Sequence, residues 1–123
     1  MKVEISNGEI IDKLIILQIK LERVKDKTKL VNIKKEYNEL VRAASSIISL
    51  SDSLVKALYD VNLDIWNMQE RIHEFERRNE LGEGFISILR EVHLKNNERF
   101  ELKKKINLRT SSNLIEEKSY KEY

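Results

Sequence analysis

The sequence predicts an all-α fold, an antiparallel helical bundle of about four helices. Three observations lead there. Apolar residues recur at alternating spacings of three and four over long stretches, the signature of helix faces that pack on one another. Proline is absent and glycine occurs only three times, too few turn formers for an all-β domain. The 123 residues are 41% hydrophobic and 36% charged, which suits a single domain (1–123) with a densely charged surface and enough regular apolar content to exclude disorder throughout.

The chain opens with a short extended lead-in, where Val3 and Ile5 are apolar. Ser6-Asn7-Gly8-Glu9 then fits a capping box, in which a serine caps the N3 amide and the glutamate reaches back. The first helix is expected over 7–25, with Ile10, Leu14, Leu17, Leu21 and Val24 as its seam. Its other side also carries Ile15, Ile16 and Ile19, so this helix is either central in the bundle or half of a subunit interface. Asp26-Lys27-Thr28 supplies a break and a new cap. The second helix is expected over 28–48, with Leu30, Ile33, Tyr37, Leu40, Ala44 and Ile47 on one face. Residues 49–53 are a serine-rich turn full of N-cap formers. The third helix, 53–79, keeps a heptad line from Leu54 through Leu58, Val61, Ile65, Met68 and Ile72 to Phe75. Beside it runs a second line of Asn62, Trp66, Gln69, His73 and Glu76. Gly82 is the expected left-handed C-cap before a fourth helix over 83–108. That helix starts its seam with Phe85, Leu89 and Val92, and a polar tail, 109–123, follows. Heptad-like seams predict crossing angles of about +20°.

Several function classes are excluded or disfavoured. No run approaches the length of a membrane span, and no signal peptide is expected. Cysteine is absent, which removes disulfides, thiol catalysis and cysteine-based zinc sites. A cytoplasmic protein is the expectation. The net charge of +2 does not point to nucleic acid, although seven cations (Lys20, Arg23, Lys25, Lys27, Lys29, Lys34, Lys35) crowd the turn between the first two helices. Only Glu22 and Asp26 oppose them there, and no aromatic residue lies inside that stretch. His73 and His93 lie on different helices without ligand spacing, so neither a metal site nor a cofactor is expected. Trp66 reads as core or interface.

The fourth helix holds the most informative polar set. Asn96, Arg99, Lys103 and Asn107 continue the line that Phe85, Leu89 and Val92 begin. Buried cations are costly unless paired. Either the helix leaves the core after Val92, or Asp12, Glu22 or Glu70 pairs with these cations, or an anionic ligand does.

Several strings together carry a resemblance. They are Val3-Glu4-Ile5-Ser6-Asn7-Gly8-Glu9, Ile11-Asp12-Lys13-Leu14 and Ile16 through Arg23. Further along come Trp66, Ile72, Glu76, the set Asn96, Arg99, Leu102-Lys103, Ile106-Asn107, and the closing Glu116-Glu117-Lys118-Ser119-Tyr120. Over nearly its whole length the chain resembles an uncharacterised family of small helical bacterial and phage proteins, often encoded beside glycosyltransferase or surface-polysaccharide genes. No activity comes with that resemblance. It implies polar positions at Asp12, Lys20, Glu22, Arg23, Arg90, Asn96, Arg99, Lys103, Asn107 and Lys118. The chain departs from the family pattern at Gln69, His73 and Asn97.

Three functions compete. The first is a helical interaction or anion-binding module linked to surface-polysaccharide biosynthesis, a homodimer with a glycosyltransferase or an anionic small molecule as partner. The second is a small helical enzyme acting on an anionic metabolite, in the style of the chorismate mutases, by positioning and electrostatics. The third is a weak nucleic-acid binder. The candidate ligand-binding residues are Asp12, Lys20, Arg23, Asn96, Arg99, Lys103 and Asn107; no catalytic residue can be named.

Overall fold

The computed structural model describes residues 1–118; the end of the expected tail, including Ser119 and Tyr120 of the closing string, lies outside the described residues. Four helices follow in order: α1 (Asn7–Arg23), α2 (Lys27–Ile47), α3 (Ser53–Arg77) and α4 (Glu83–Arg109). The fold is all-α, as the spacing predicts. No helix among the described residues is long and apolar enough to cross a membrane.

Local chemistry sets the ends. The Ser6, Asp26 and Asp52 side chains accept from the first-turn amides of α1, α2 and α3, at 3.2 Å from Glu9, 2.9 Å from Thr28 and 2.9 Å from Leu54. At the end of α3 the expected glycine cap is overturned. Gly82 has a negative φ and precedes α4, while Asn79 takes the left-handed conformation at φ 55°. The Asn79 and Glu80 amides donate back to Glu76 and Phe75, closing a Schellman motif. Asparagine tolerates that conformation, so no glycine is needed. Ser111, at φ 53°, ends α4 in the same way.

The architecture is two helical hairpins that meet through α1. The α3–α4 hairpin is pinned along its length: Asp52 to Arg109 at 2.6 Å, Asp64 to Lys95 at 3.3 Å, and Phe75 edge-on to Phe85 with ring centroids 6.1 Å apart. The α1–α2 hairpin lies on it by way of α1, which packs against all three other helices, whereas α2, among the described residues, packs against α1 alone. This explains the two apolar sides of α1. Ile11, Leu14, Ile15 and Ile19 are all buried, in one cluster with Ala44, Ile48, Val55, Leu58 and Ile106. Of the two roles expected for α1, the structure therefore shows the central one. Beyond the reach of α1, the hairpin continues as a two-helix arm with its own cluster of Ile72, Ile88 and Val92, lined by Met68, Phe75 and Phe85.

The α4 seam differs from expectation. Ile88 is buried and Leu89 is 45% exposed, so the line runs Phe85, Ile88, Val92. Spacings of 4-3 and 3-4 fit this stretch equally well, because Ile86, Ile88 and Leu89 are all apolar; only the position of α3 chooses. Rotating the seam this way leaves Asn96 exposed and turns Arg99 and Lys103 inward.

A polar centre between three helices as candidate functional site

The first turn of α1 sits against the last turns of α4. With no side chain at Gly8 the two backbones come very close: a Cβ there would collide with the Lys103 carbonyl oxygen and lie 3.0 Å from Asn107 Oδ1. The amides at the start of α1 are taken one by one. Asn7 N donates to Ser112 Oγ at 2.9 Å, Gly8 N to Asn107 Oδ1 at 2.6 Å, and Glu9 N to Ser6 Oγ. The Asn7 side chain adds a bond to Thr110 Oγ1 at 3.0 Å. A helix start is a natural anion site when its amides are free; here Ser112, Asn107 and the Ser6 cap occupy the first three.

One turn further, Asp12 is fully buried at the meeting of α1, α3 and α4. Arg99 grips it with two parallel bonds, Nε to Oδ1 at 2.9 Å and Nη2 to Oδ2 at 2.5 Å. Asn62 Nδ2 donates to Oδ1 at 2.9 Å and also to the Leu58 carbonyl at 3.1 Å. The Arg99 pKa is raised, chiefly by its hydrogen bond to Asp12, against the opposing effect of burial. Lys103 lies between Glu9 at 2.6 Å and Glu116 of the tail at 3.6 Å. Glu9 therefore does not close a full capping box; its carboxylate goes to Lys103 instead. Three carboxylates against two cations leave this centre with a formal surplus of one negative charge.

The tail completes the arrangement. It returns along α4, so the expected polar tail is docked as far as Lys118. Glu117 pairs with Lys104 at 3.2 Å. Lys118 donates to Asn97 at 2.5 Å and stands 4.7 Å from the Phe100 ring centroid.

The family model of a family of unknown function, DUF6165, matches residues 1–123. The chain belongs to that family. No match is found among curated proteins or among solved structures.

Of the seven candidate residues, the structure brings Asp12, Arg99, Lys103 and Asn107 together. It leaves out Lys20, Arg23 and Asn96. Lys20 and Arg23 lie two and three turns beyond Asp12 on α1 and make no hydrogen bond or ion pair to this cluster; Arg23 and Asn96 are exposed. Of the three expected carboxylate partners only Asp12 serves the α4 cations. Glu22 accepts from the Tyr59 hydroxyl at 2.8 Å and Glu70 from the Trp66 indole at 2.7 Å. Gly8, Glu9, Asn62 and Glu116 also belong to this centre, although they are not among the residues expected there. Asn62 carried the one usable signal, a polar residue flanking the α3 seam; the others become visible only when α1 is laid on α4.

Chemically, this centre is built to hold helices together. Arg99 and Lys103, the cations best placed to clamp an anion, already have carboxylate partners, and both Asp12 oxygens accept hydrogen bonds.

Proposed function

We propose that this protein is a helical interaction module that forms a homodimer through its α3–α4 arm and serves surface-polysaccharide assembly in the bacterial cytoplasm, with an enzyme such as a glycosyltransferase as partner. The polysaccharide setting follows from the family resemblance of the sequence. The observation that carries the interaction reading is the exposed apolar surface of the arm. Leu81, Ile86, Leu89 and Leu94 all lie largely open to solvent there. The arm is a two-helix layer whose internal cluster draws on six apolar side chains. Two such hairpins packed face to face make a four-helix bundle, which buries what each leaves open.

A small-anion enzyme is the weaker reading. Its clamps would be Arg99 and Lys103, and an anion would have to displace Asp12 from a bidentate pair and Glu9 from Lys103. Small-anion binding by the same residues meets the same obstacle.

Sedimentation equilibrium of the wild type beside Leu89→Glu and Ile86→Glu tests the proposal. A dimer in the wild type, shifted to monomer in both variants with an unchanged helical spectrum, is the expected result. A wild type that stays monomeric at high concentration sinks the dimer.

A further inference from the structure

The α1–α2 end of the molecule lies away from the arm and carries a different signal. All seven cations between Lys20 and Lys35 lack an ion pair or side-chain hydrogen bond among the described residues. Elsewhere, cations such as Lys95, Arg99, Lys103 and Arg109 are paired. Of the two acids in that stretch, Asp26 is committed to capping α2 and Glu22 accepts from Tyr59. The first turn of α2 also contains no acid, and Lys27 and Lys29 stand at its positive end, where cations cost stability.

Helix α2 carries four of the seven, and three of these, Lys27, Lys34 and Lys35, share one of its faces. Among the described residues it packs on α1 alone, through a face of Leu30, Ile33, Tyr37, Leu40 and Ala44. At about 100° per residue, Lys27, Val31, Lys34, Lys35, Asn38 and Arg42 fall within an arc of roughly 100° on the side away from α1. All six are exposed, and no acid of α2 lies among them. The stripe is roughly 22 Å long. Val31, 69% exposed, sits inside the cationic stripe.

We infer that this face of α2 docks the protein on an anionic lipid surface. The charge complements acidic headgroups, and a cluster of four to eight cations along an amphipathic helix is what such surfaces attract. A helix presents such a stripe along one side, so a plane can meet several of its cations at once. Val31 separates the lipid surface from other polyanions: an apolar side chain among the lysines gains from the headgroup boundary and gains nothing from a phosphodiester backbone. The absence of aromatic residues between Lys20 and Lys35 also removes the stacking that single-stranded nucleic acid uses. This inference goes beyond the partner-binding reading, since it concerns α2, which makes no contact with α3 or α4 among the described residues.

Flotation of the full chain with vesicles of equimolar phosphatidylglycerol and phosphatidylcholine tests it, with pure phosphatidylcholine vesicles and a short duplex DNA as comparisons. Binding to the anionic vesicles alone is expected, lost in high salt. Near an anionic surface each lysine is worth about fivefold in partition, so Lys34→Gln/Lys35→Gln should bind roughly thirtyfold more weakly. Val31→Asn should weaken vesicle binding severalfold. Circular dichroism of both variants checks that the exposed changes leave the fold intact. No binding to anionic vesicles at low salt, or binding that survives in Lys34→Gln/Lys35→Gln, overturns the inference. Equal binding to duplex DNA with no effect of Val31→Asn overturns it in favour of nucleic acid.

Discussion

Replacing Gly8 with alanine sets two physical arguments against each other. Gly8 is the second residue of α1, and helix propensity alone favours alanine there by up to about 1 kcal/mol. The tertiary structure predicts the opposite sign. The new Cβ would collide with the Lys103 carbonyl oxygen, a backbone atom of α4 that no rotamer change can move. Relief requires α1 and α4 to separate, which stretches the 2.6 Å bond from Gly8 N to Asn107 and the 2.6 Å pair of Glu9 with Lys103. Overpacking of this kind costs about 1–3 kcal/mol, and weakening a buried hydrogen bond adds about 1 kcal/mol. After the propensity gain, a net loss of about 1–3 kcal/mol remains. A chain of 123 residues unfolds with an entropy of roughly 260 cal/mol/K at about 2.1 cal/mol/K per residue, so each kcal/mol moves the Tm by about 4 °C. Thermal melting followed by circular dichroism should therefore show a drop of about 4–12 °C. Gly82→Ala is the control: nothing lies within 4 Å of the added carbon, and the loss should stay at about 1 kcal/mol or less. An unchanged or raised Tm for Gly8→Ala would refute the close approach of α1 to α4.

Two further outcomes follow from the same geometry. Asp12→Ala leaves the Arg99 guanidinium without its carboxylate; because that side chain is 27% exposed and can turn to water, the loss in urea unfolding should be about 2–3 kcal/mol rather than the full cost of a buried orphan charge. In a double-mutant cycle with Arg99→Met the effects should be non-additive by at least about 1 kcal/mol, and strict additivity would show that the pair does not form. Tyr59 has its pKa raised above 10.0, chiefly by donating to Glu22, so in a spectrophotometric titration the signal lost in Tyr59→Phe should be a late-titrating phenol, and Glu22→Gln should bring it down. Because the folded-state value is the higher one, this contribution to stability is complete below the unfolded-state pKa and disappears as the pH rises through the raised value.

Much of the helical layout is legible in the local chemistry of the chain. Ser6, Asp26 and Asp52 cap helices because a short polar side chain meets free amides within its own turn. The α3 line from Leu58 and Val61 to Ile72 and Phe75 can be read from its spacing, but its start cannot: Val55 is buried where the line expects Leu54, because both neighbours are apolar. The α4 seam cannot, since three neighbouring apolar residues allow two registers. The same ambiguity kept the direction of Arg99 and Lys103 undecided: rotating the seam by one residue swings a side chain by about 100°. Lys20 and Arg23 share composition with the polar centre but not its place, because charge on a helix carries no information about which neighbour covers it.

Residue spacing and capping chemistry alone determined the helical class of this protein, the starts of α1, α2 and α3, and the cationic character of the α1–α2 end, since each depends on neighbours within a few residues. Only the tertiary structure decided that α1 is central and α2 peripheral, that Asn79 rather than Gly82 ends α3, and that Asp12, Asn62 and Arg99 form one buried centre. Partners 50 and 87 residues apart meet there, and their meeting depends on how two hairpins stack, which no local pattern encodes.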